Sequence, residues 1–208
     1  LNTKKLALVI IFTALALSLS QIKIPAPYAP FLFYQIWEIP IVAAFLLVSP
    51  LAGIAVSLMN TLFLFAIFPG VLPTGPLYNL AAILTMQIGI YATELIIKRV
   101  AKKEQAKAEN LQYKPKWIAA STAMGIITRV ALMSVILYYA IPQDPPIGFG
   151  FSQEVTVALL PLEAFFNATV ALYTIPAAYL IANAIRKHIK LNLNMGQKKP
   201  QSNPKVSS

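Results

Sequence analysis

Asn60, Asn79, Arg129, Glu163 and Asn167 carry hydrogen-bonding or ionic side chains inside, or at the edges of, long apolar stretches. A charge at the centre of a bilayer costs about 2.5–3.5 kcal/mol on insertion scales, so such groups face a cavity, a partner or a ligand. The chemistry they offer is recognition. Arginine supplies a fixed fork of donors, a carboxylate supplies acceptors, and asparagine supplies both, which suits the edge of a heteroaromatic ligand. Glu163 and Asn167 are four residues apart and share one helix face. Arg129 either pairs with Glu163 or meets an anionic or carbonyl group of a ligand. Asn60 either joins the ligand set or ties two helices together.

Nothing beside these residues points to catalysis. The chain has no cysteine, and its one histidine, His188, lies among Arg186, Lys187 and Lys190 and reads as a solvated residue at a helix end. Neither a thiolate nor a histidine cluster is present to hold a transition metal. No phosphate-binding loop of the Walker type occurs, so ATP hydrolysis by that route is excluded for this sequence. No cofactor and no catalytic residue are expected.

The elements that position the polar set are membrane helices. Of 208 residues 58% are hydrophobic and 12% are charged, against about 25% charged in soluble domains. Apolar segments run over roughly Leu6–Ser20, Ile39–Val48, Leu51–Phe68, Leu77–Ile97, Trp117–Ile141 and Ala158–Ile185. A spanning helix needs about 20 apolar residues, so the second segment is short and must be protected by its neighbours. Every Lys and Arg except Lys23 and Arg129 lies before the first segment, between the fourth and fifth, or after the sixth. Six spans put those three stretches on one side, and the positive-inside rule makes that side cytoplasmic. The same topology accounts for the net charge of +10 without nucleic acid as a partner. Glu94 sits near Lys98 at the cytoplasmic end and reads as a snorkelling surface residue.

The expected architecture is therefore an all-α integral membrane protein of the cell membrane. A six-transmembrane-helix bundle occupies residues 1–190 with both termini cytoplasmic, and 191–208 form a basic, disordered tail. Residues 102–110 extend the fourth helix or form a short connector. The Lys4-Lys5 start followed by an apolar run also resembles a signal peptide, but it lacks a convincing small-x-small cleavage site before Gln21 and six spans balance the charges, so the segment is kept as a span.

The external loops are rich in proline. Gln21–Pro40 holds Pro25, Pro27, Pro30 and Pro40 together with Tyr28, Phe31, Phe33, Tyr34 and Trp37. Proline favours extended backbone. The aromatics form either a stacking lid over a flat ligand or an interfacial belt. Pro69–Pro76 and Pro142–Gly150 read as rigid covers on the same face. In the first span, Ala14 and Ser18 are four apart, with Ala16 and Ser20 beside them, a spacing that permits close contact with another membrane helix.

Several pieces, in order, resemble the S components of energy-coupling factor (ECF) vitamin transporters, nearest the riboflavin-type branch. They are Glu38-Ile39-Pro40 before the second span, and Ser49-Pro50-Leu51-Ala52-Gly53 opening the third, followed by Asn60. Gly75-Pro76-Leu77-Tyr78-Asn79 opens the fourth, and Phe166-Asn167 lies in the sixth. The resemblance covers roughly 39–185. It implies a small bundle that captures a vitamin or related small molecule, riboflavin among the candidates, from outside and docks on a transmembrane coupling subunit driven by two ATPases. It implies a ligand site that includes Asn79 and Asn167, and a coupling contact through Ala14 and Ser18. Tyr34, Trp37 and Tyr78 would stack on the ligand, and Glu38, Asn60, Arg129 and Glu163 complete the expected binding set. One departure is Val170, where riboflavin-type members commonly have lysine. The competing readings are a small secondary transporter coupled to protons through Glu163, which would normally show internal repeats, and an intramembrane enzyme using Glu163 as acid or base.

Overall fold

The structure is a computed structural model that describes residues 3–67, 72–103 and 111–189. The tail 191–208, residues 104–110 of the connector and 69–71 of the second outer loop lie outside the described residues, as does the side chain of His188. Six principal helices are formed. They are α1 (Thr3–Leu19), α2 (Glu38–Leu47), α3 (Pro50–Ile67), α4 (Gly75–Lys103), α5 (Pro115–Ala140) and α6 (Gln153–Ile189). Four of them, α3 to α6, are long and apolar enough to cross a membrane, while α1 and α2 are shorter apolar helices.

The organising element is α2. Ten residues rise only about 15 Å, half of a hydrocarbon core. Its apolar surface runs all the way round, and a helix of that kind must be buried. All of its residues but Ile39 are buried, in contact with α1, α3 and α6. Outside it, α3, α4, α5 and α6 pack in sequence, each against the next, and α1 packs on α2 and α3. The chain leaves α2 through Ser49-Pro50. Pro50 cannot continue a helix but suits the first turn of a new one. The Ser49 hydroxyl accepts a hydrogen bond from the Ala52 N–H at 3.2 Å, which caps α3. The tight return also requires Gly53, because a Cβ there would lie 2.5 Å from the Phe45 Cβ.

Polar side chains tie the helices at a few buried points. Gln87 of α4 donates to the Ser57 hydroxyl of α3 at 3.2 Å, and Ser121 of α5 shares a hydrogen bond with Tyr179 of α6 at 2.9 Å. Glu94 and Lys98 do approach, at 3.9 Å. Glu94 nevertheless faces into the bundle instead of lying on its surface.

The proline-rich segment between α1 and α2 is not simply an extended cover. It folds into an antiparallel hairpin of β1 (Ile24–Ala26) and β2 (Ala29–Tyr34), with Ile24 opposite Tyr34 and Pro25 opposite Phe33. A two-stranded ladder leaves both strands at an edge, where missing proline donors are tolerated. The hairpin rests on α6. Leu32 and Tyr34 pack against Phe166, Val170 and Tyr173, and the Gln35 N–H donates to the Tyr173 hydroxyl at 3.0 Å. The loop from α5 to α6 is fastened to the start of α4 by Thr74, whose hydroxyl donates to the Pro146 carbonyl, and by Tyr78, whose hydroxyl donates to the Ile147 carbonyl. Hairpin and loop therefore meet at one end of the bundle. The Lys- and Arg-bearing ends of α4, α5 and α6 are at the other.

Candidate binding site

Under the hairpin and the α5–α6 loop lies a cavity of about 260 Å³. Its walls come from the first turns of α4 (Gly75, Tyr78, Asn79, Ala82), the last turns of α5 (Met133, Leu137), the outer half of α6 (Glu163, Phe166, Asn167) and the two covers (Leu32 and Gln35; Ile147 to Phe149). Arg129 forms part of its floor. A second cavity of about 430 Å³ adjoins it, sharing Leu32, Gln35, Leu72, Gly75, Asn79 and Phe166, and adds Tyr34, Trp37 and Lys23 to the lining. Gln35 and Asn79 line both cavities. The Gln35 Nε2 donates to the Asn79 Oδ1 at 2.6 Å, linking the hairpin end to α4 at the shared wall.

Arg129 pairs with Glu38, and not with Glu163. Its Nη1 and Nη2 donate to the two carboxylate oxygens of Glu38 at 2.5 and 3.0 Å. Both side chains are withdrawn from solvent, at 1% and 0% exposure. Such a fork-to-carboxylate pair is the strong form of a charge-assisted contact. Glu38 lies in the first turn of α2, where the helix dipole favours a negative charge. The Arg129 Nε donates to the Asn167 Oδ1 at 2.9 Å, and the Asn167 Nδ2 donates to the Glu163 backbone carbonyl at 2.9 Å. Every nitrogen of the guanidinium is thus engaged by the protein. In place of the expected pairing with Glu163, Arg129 ties α2, α5 and α6 to one another beneath the cavity. The face shared by Glu163 and Asn167 is as expected, although the bond between them runs through the Glu163 backbone.

The remaining expected site residues separate into groups. Tyr78, Asn79, Glu163 and Asn167 line the first cavity. Tyr34 and Trp37 line the second. The Tyr34 ring is already stacked on Phe166, with centroids 5.8 Å apart, and meets Tyr173 edge-on at 6.0 Å. Trp37 is only 7% exposed and belongs to the main hydrophobic core. Glu38 is sealed behind Arg129 and lines neither cavity.

Asn60 also lines neither cavity, and neither of its amide atoms has a hydrogen-bond partner among the described residues, although the side chain is fully buried. The expected helix-to-helix hydrogen bond is not formed there. A buried unsatisfied polar group costs about 1–3 kcal/mol. Asn60→Leu is therefore expected to hold or raise thermal stability and to leave ligand affinity unchanged. A thermal melt alongside a binding titration checks both.

Two features were not anticipated from the sequence. Gln35 is the amide that links the covers to α4, and its only sequence signal was being the one amide in an aromatic run. The Glu38–Arg129 pair joins residues 91 positions apart. Its signal was that each charge borders or interrupts an apolar segment and needs an opposite partner.

Ala14 and Ser18 are exposed on α1, with Ala16 buried between them. The Ser18 hydroxyl is turned back on the Ala14 carbonyl at 2.9 Å, so this face presents small groups and no free donor.

The fold matches that of the S component of a bacterial ECF transporter with a TM-score of 0.69, over 91% of this chain and 99% of that one, at 20% sequence identity. At that identity the likeness is one of fold. No protein-family model matches the chain, and no curated protein matches it in sequence.

Proposed function

We propose that this chain is a substrate-capture membrane subunit, the S component of an ECF-type transporter, with no catalysis of its own. The observation that carries the reading is the cavity of about 260 Å³. It is walled by α4, α5 and α6 and covered by the hairpin and the α5–α6 loop, at the bundle end opposite the Lys- and Arg-bearing ends of those helices. With the basic end cytoplasmic, the cavity faces the outside of the cell membrane and both termini lie inside. Taken with the adjoining cavity of about 430 Å³ that shares its wall, and with its apolar lining and few polar groups, it suits a small-molecule site. Asn79, Asn167, Glu163 and Tyr78 are the proposed ligand contacts, with Tyr34 and Trp37 shaping the adjoining vestibule.

Delivery requires partners. The proposed ones are a transmembrane coupling subunit and two ATPases, since this sequence holds no nucleotide-binding loop. The Ala14/Ser18 face of α1 is the proposed coupling contact, because small exposed residues let another membrane helix approach closely. A vitamin or related heterocycle fits the reading. Riboflavin is the weaker choice, because Val170 is fully buried in the cluster under the hairpin and supplies no cation. Mass spectrometry of the protein purified from its own membranes tests the proposal. One co-purifying small molecule, retained at near-equimolar amount and taken up only with the ATPases present, is the expected result. Uptake by the chain alone, driven by a proton gradient, would instead favour the Glu163-coupled secondary transporter, a reading supported by that carboxylate facing the cavity without an ionic partner among the described residues.

A further inference from the structure

The cavity's unused hydrogen-bonding capacity is biased toward acceptors. The Arg129 charge is met by Glu38, and both ends of the Asn167 amide are engaged, by Arg129 and by the Glu163 carbonyl. The Tyr78 hydroxyl donates to Ile147. Among the described residues, three groups there have no partner at all. Glu163 lines the cavity, and among the described residues its carboxylate has no hydrogen bond and no ion pair. Gln35 Oε1 is buried and has no partner. Asn79 Nδ2 is left over from the Gln35–Asn79 bond. Exchanging oxygen and nitrogen in both amides would still leave one acceptor and one donor there. The charge balance points the same way. Arg129 and Glu38 cancel, Lys23 lines the adjoining cavity and not this one, and Glu163 is left as the net charge. The rest of the wall is largely apolar, including Leu32, Ala82, Met133, Leu137 and Phe166.

We propose that the ligand is an organic cation, a flat apolar body bearing a protonated, N–H-donating nitrogen that lies against the Glu163 carboxylate with Gln35 Oε1 as a second acceptor. An anionic ligand would place a like charge beside Glu163 and find no free guanidinium. A cation gains a charge-assisted hydrogen bond, roughly twice as strong as a neutral one. This assignment rests on the cavity being the ligand site.

Benzamidine, benzamide and benzoate are planar, near-isosteric probes whose charges are positive, zero and negative. Their binding to the full chain purified in detergent, measured by saturable thermal shift and by equilibrium dialysis, tests the assignment. Benzamidine is expected to bind at least about tenfold more tightly than benzamide, with benzoate weakest. Glu163→Gln is expected to bring benzamidine down to the level of benzamide, and Glu154→Gln, an exposed carboxylate at the start of α6 outside the cavity, to change nothing. Gln35→Leu gives a second variant that keeps the charge. It is expected to weaken benzamidine and benzamide alike and to preserve their ratio. Benzamide or benzoate binding as tightly as benzamidine to the wild-type chain overturns the cation assignment and leaves the ligand cavity standing. No saturable binding by any of the three overturns both.

Discussion

Arg129→Met is expected to destabilise the folded bundle by about 3–5 kcal/mol, the largest effect of any single side-chain truncation in this chain. The loss of attraction is the smaller part. Glu38 is fully buried in the first turn of α2, and among the described residues Arg129 supplies both of the hydrogen bonds that its carboxylate accepts. Without the guanidinium a carboxylate stays buried and uncompensated, and that is the costly state. Asn167 loses its donor from Arg129 in the same step, so the α5–α6 contact under the cavity loosens too. The double variant Glu38→Met/Arg129→Met separates the two contributions. Replacing an entire buried ion pair by apolar side chains of similar volume is often neutral or stabilising. The double variant is therefore expected to recover more than half of the lost stability. Reversible unfolding in detergent, followed by Trp fluorescence, gives both numbers. A single Arg129→Met variant as stable as the wild type would show that the pair does not hold these three helices together.

Gly89→Leu is expected to have the second-largest effect, by a different mechanism. On α4, Gly89 faces the Met124 carbonyl and the Thr128 hydroxyl of α5, and a Cβ placed there would overlap both. The carbonyl is backbone, and the Thr128 hydroxyl is already bonded to it at 2.9 Å. Neither can turn aside, so the helices must separate. Overpacking of this kind costs about 1–3 kcal/mol, occasionally more. Separation of α4 from α5 also pulls Asn79 and Ala82 away from Met133 and Leu137, opposite walls of the cavity. Loss of ligand binding should accompany the loss of stability. Gly125→Ala is the informative control, because the nearest atom to a Cβ there is Ile175 Cδ1, the far end of a flexible side chain. Equal melting temperatures for Gly89→Leu and the wild type would contradict the close α4–α5 contact.

The helices were legible in the sequence because apolar length alone defines them. Each of the six segments lies on an observed helix, and even the ten-residue α2 follows from an apolar run closed by Ser49-Pro50. The hairpin was not legible, because prolines at 25, 27 and 30 argue against strands unless both strands are edges. Nor was the partner of Arg129. Glu163 looked like its partner through proximity in topology, α5 and α6 being joined by a short loop. The true partner comes from α2, which packs on α6 and which the long Arg129 side chain reaches from α5. Buried charges are paired by the fold, and periodicity carries no information about which helix supplies the partner. Asn79 and Asn167 were legible for a simpler reason. Each amide interrupts an apolar helix face, and that face lines the cavity. Asn60 gave the same signal from a helix face that lines neither cavity.

Equilibrium binding of the co-purified small molecule to wild-type chain and to Asn79→Ala, in detergent and without any partner subunit, tests the central claim most directly. Asn79 lines both cavities and holds Gln35 in place, yet takes no part in the Arg129–Glu38 network. The account predicts saturable one-to-one binding by the wild-type chain alone, and affinity at least about tenfold weaker in Asn79→Ala, the equivalent of about 1.4 kcal/mol, with the empty variant still folded at the temperature of the titration. Unchanged affinity in Asn79→Ala, or no saturable binding by the isolated wild-type chain, would contradict it.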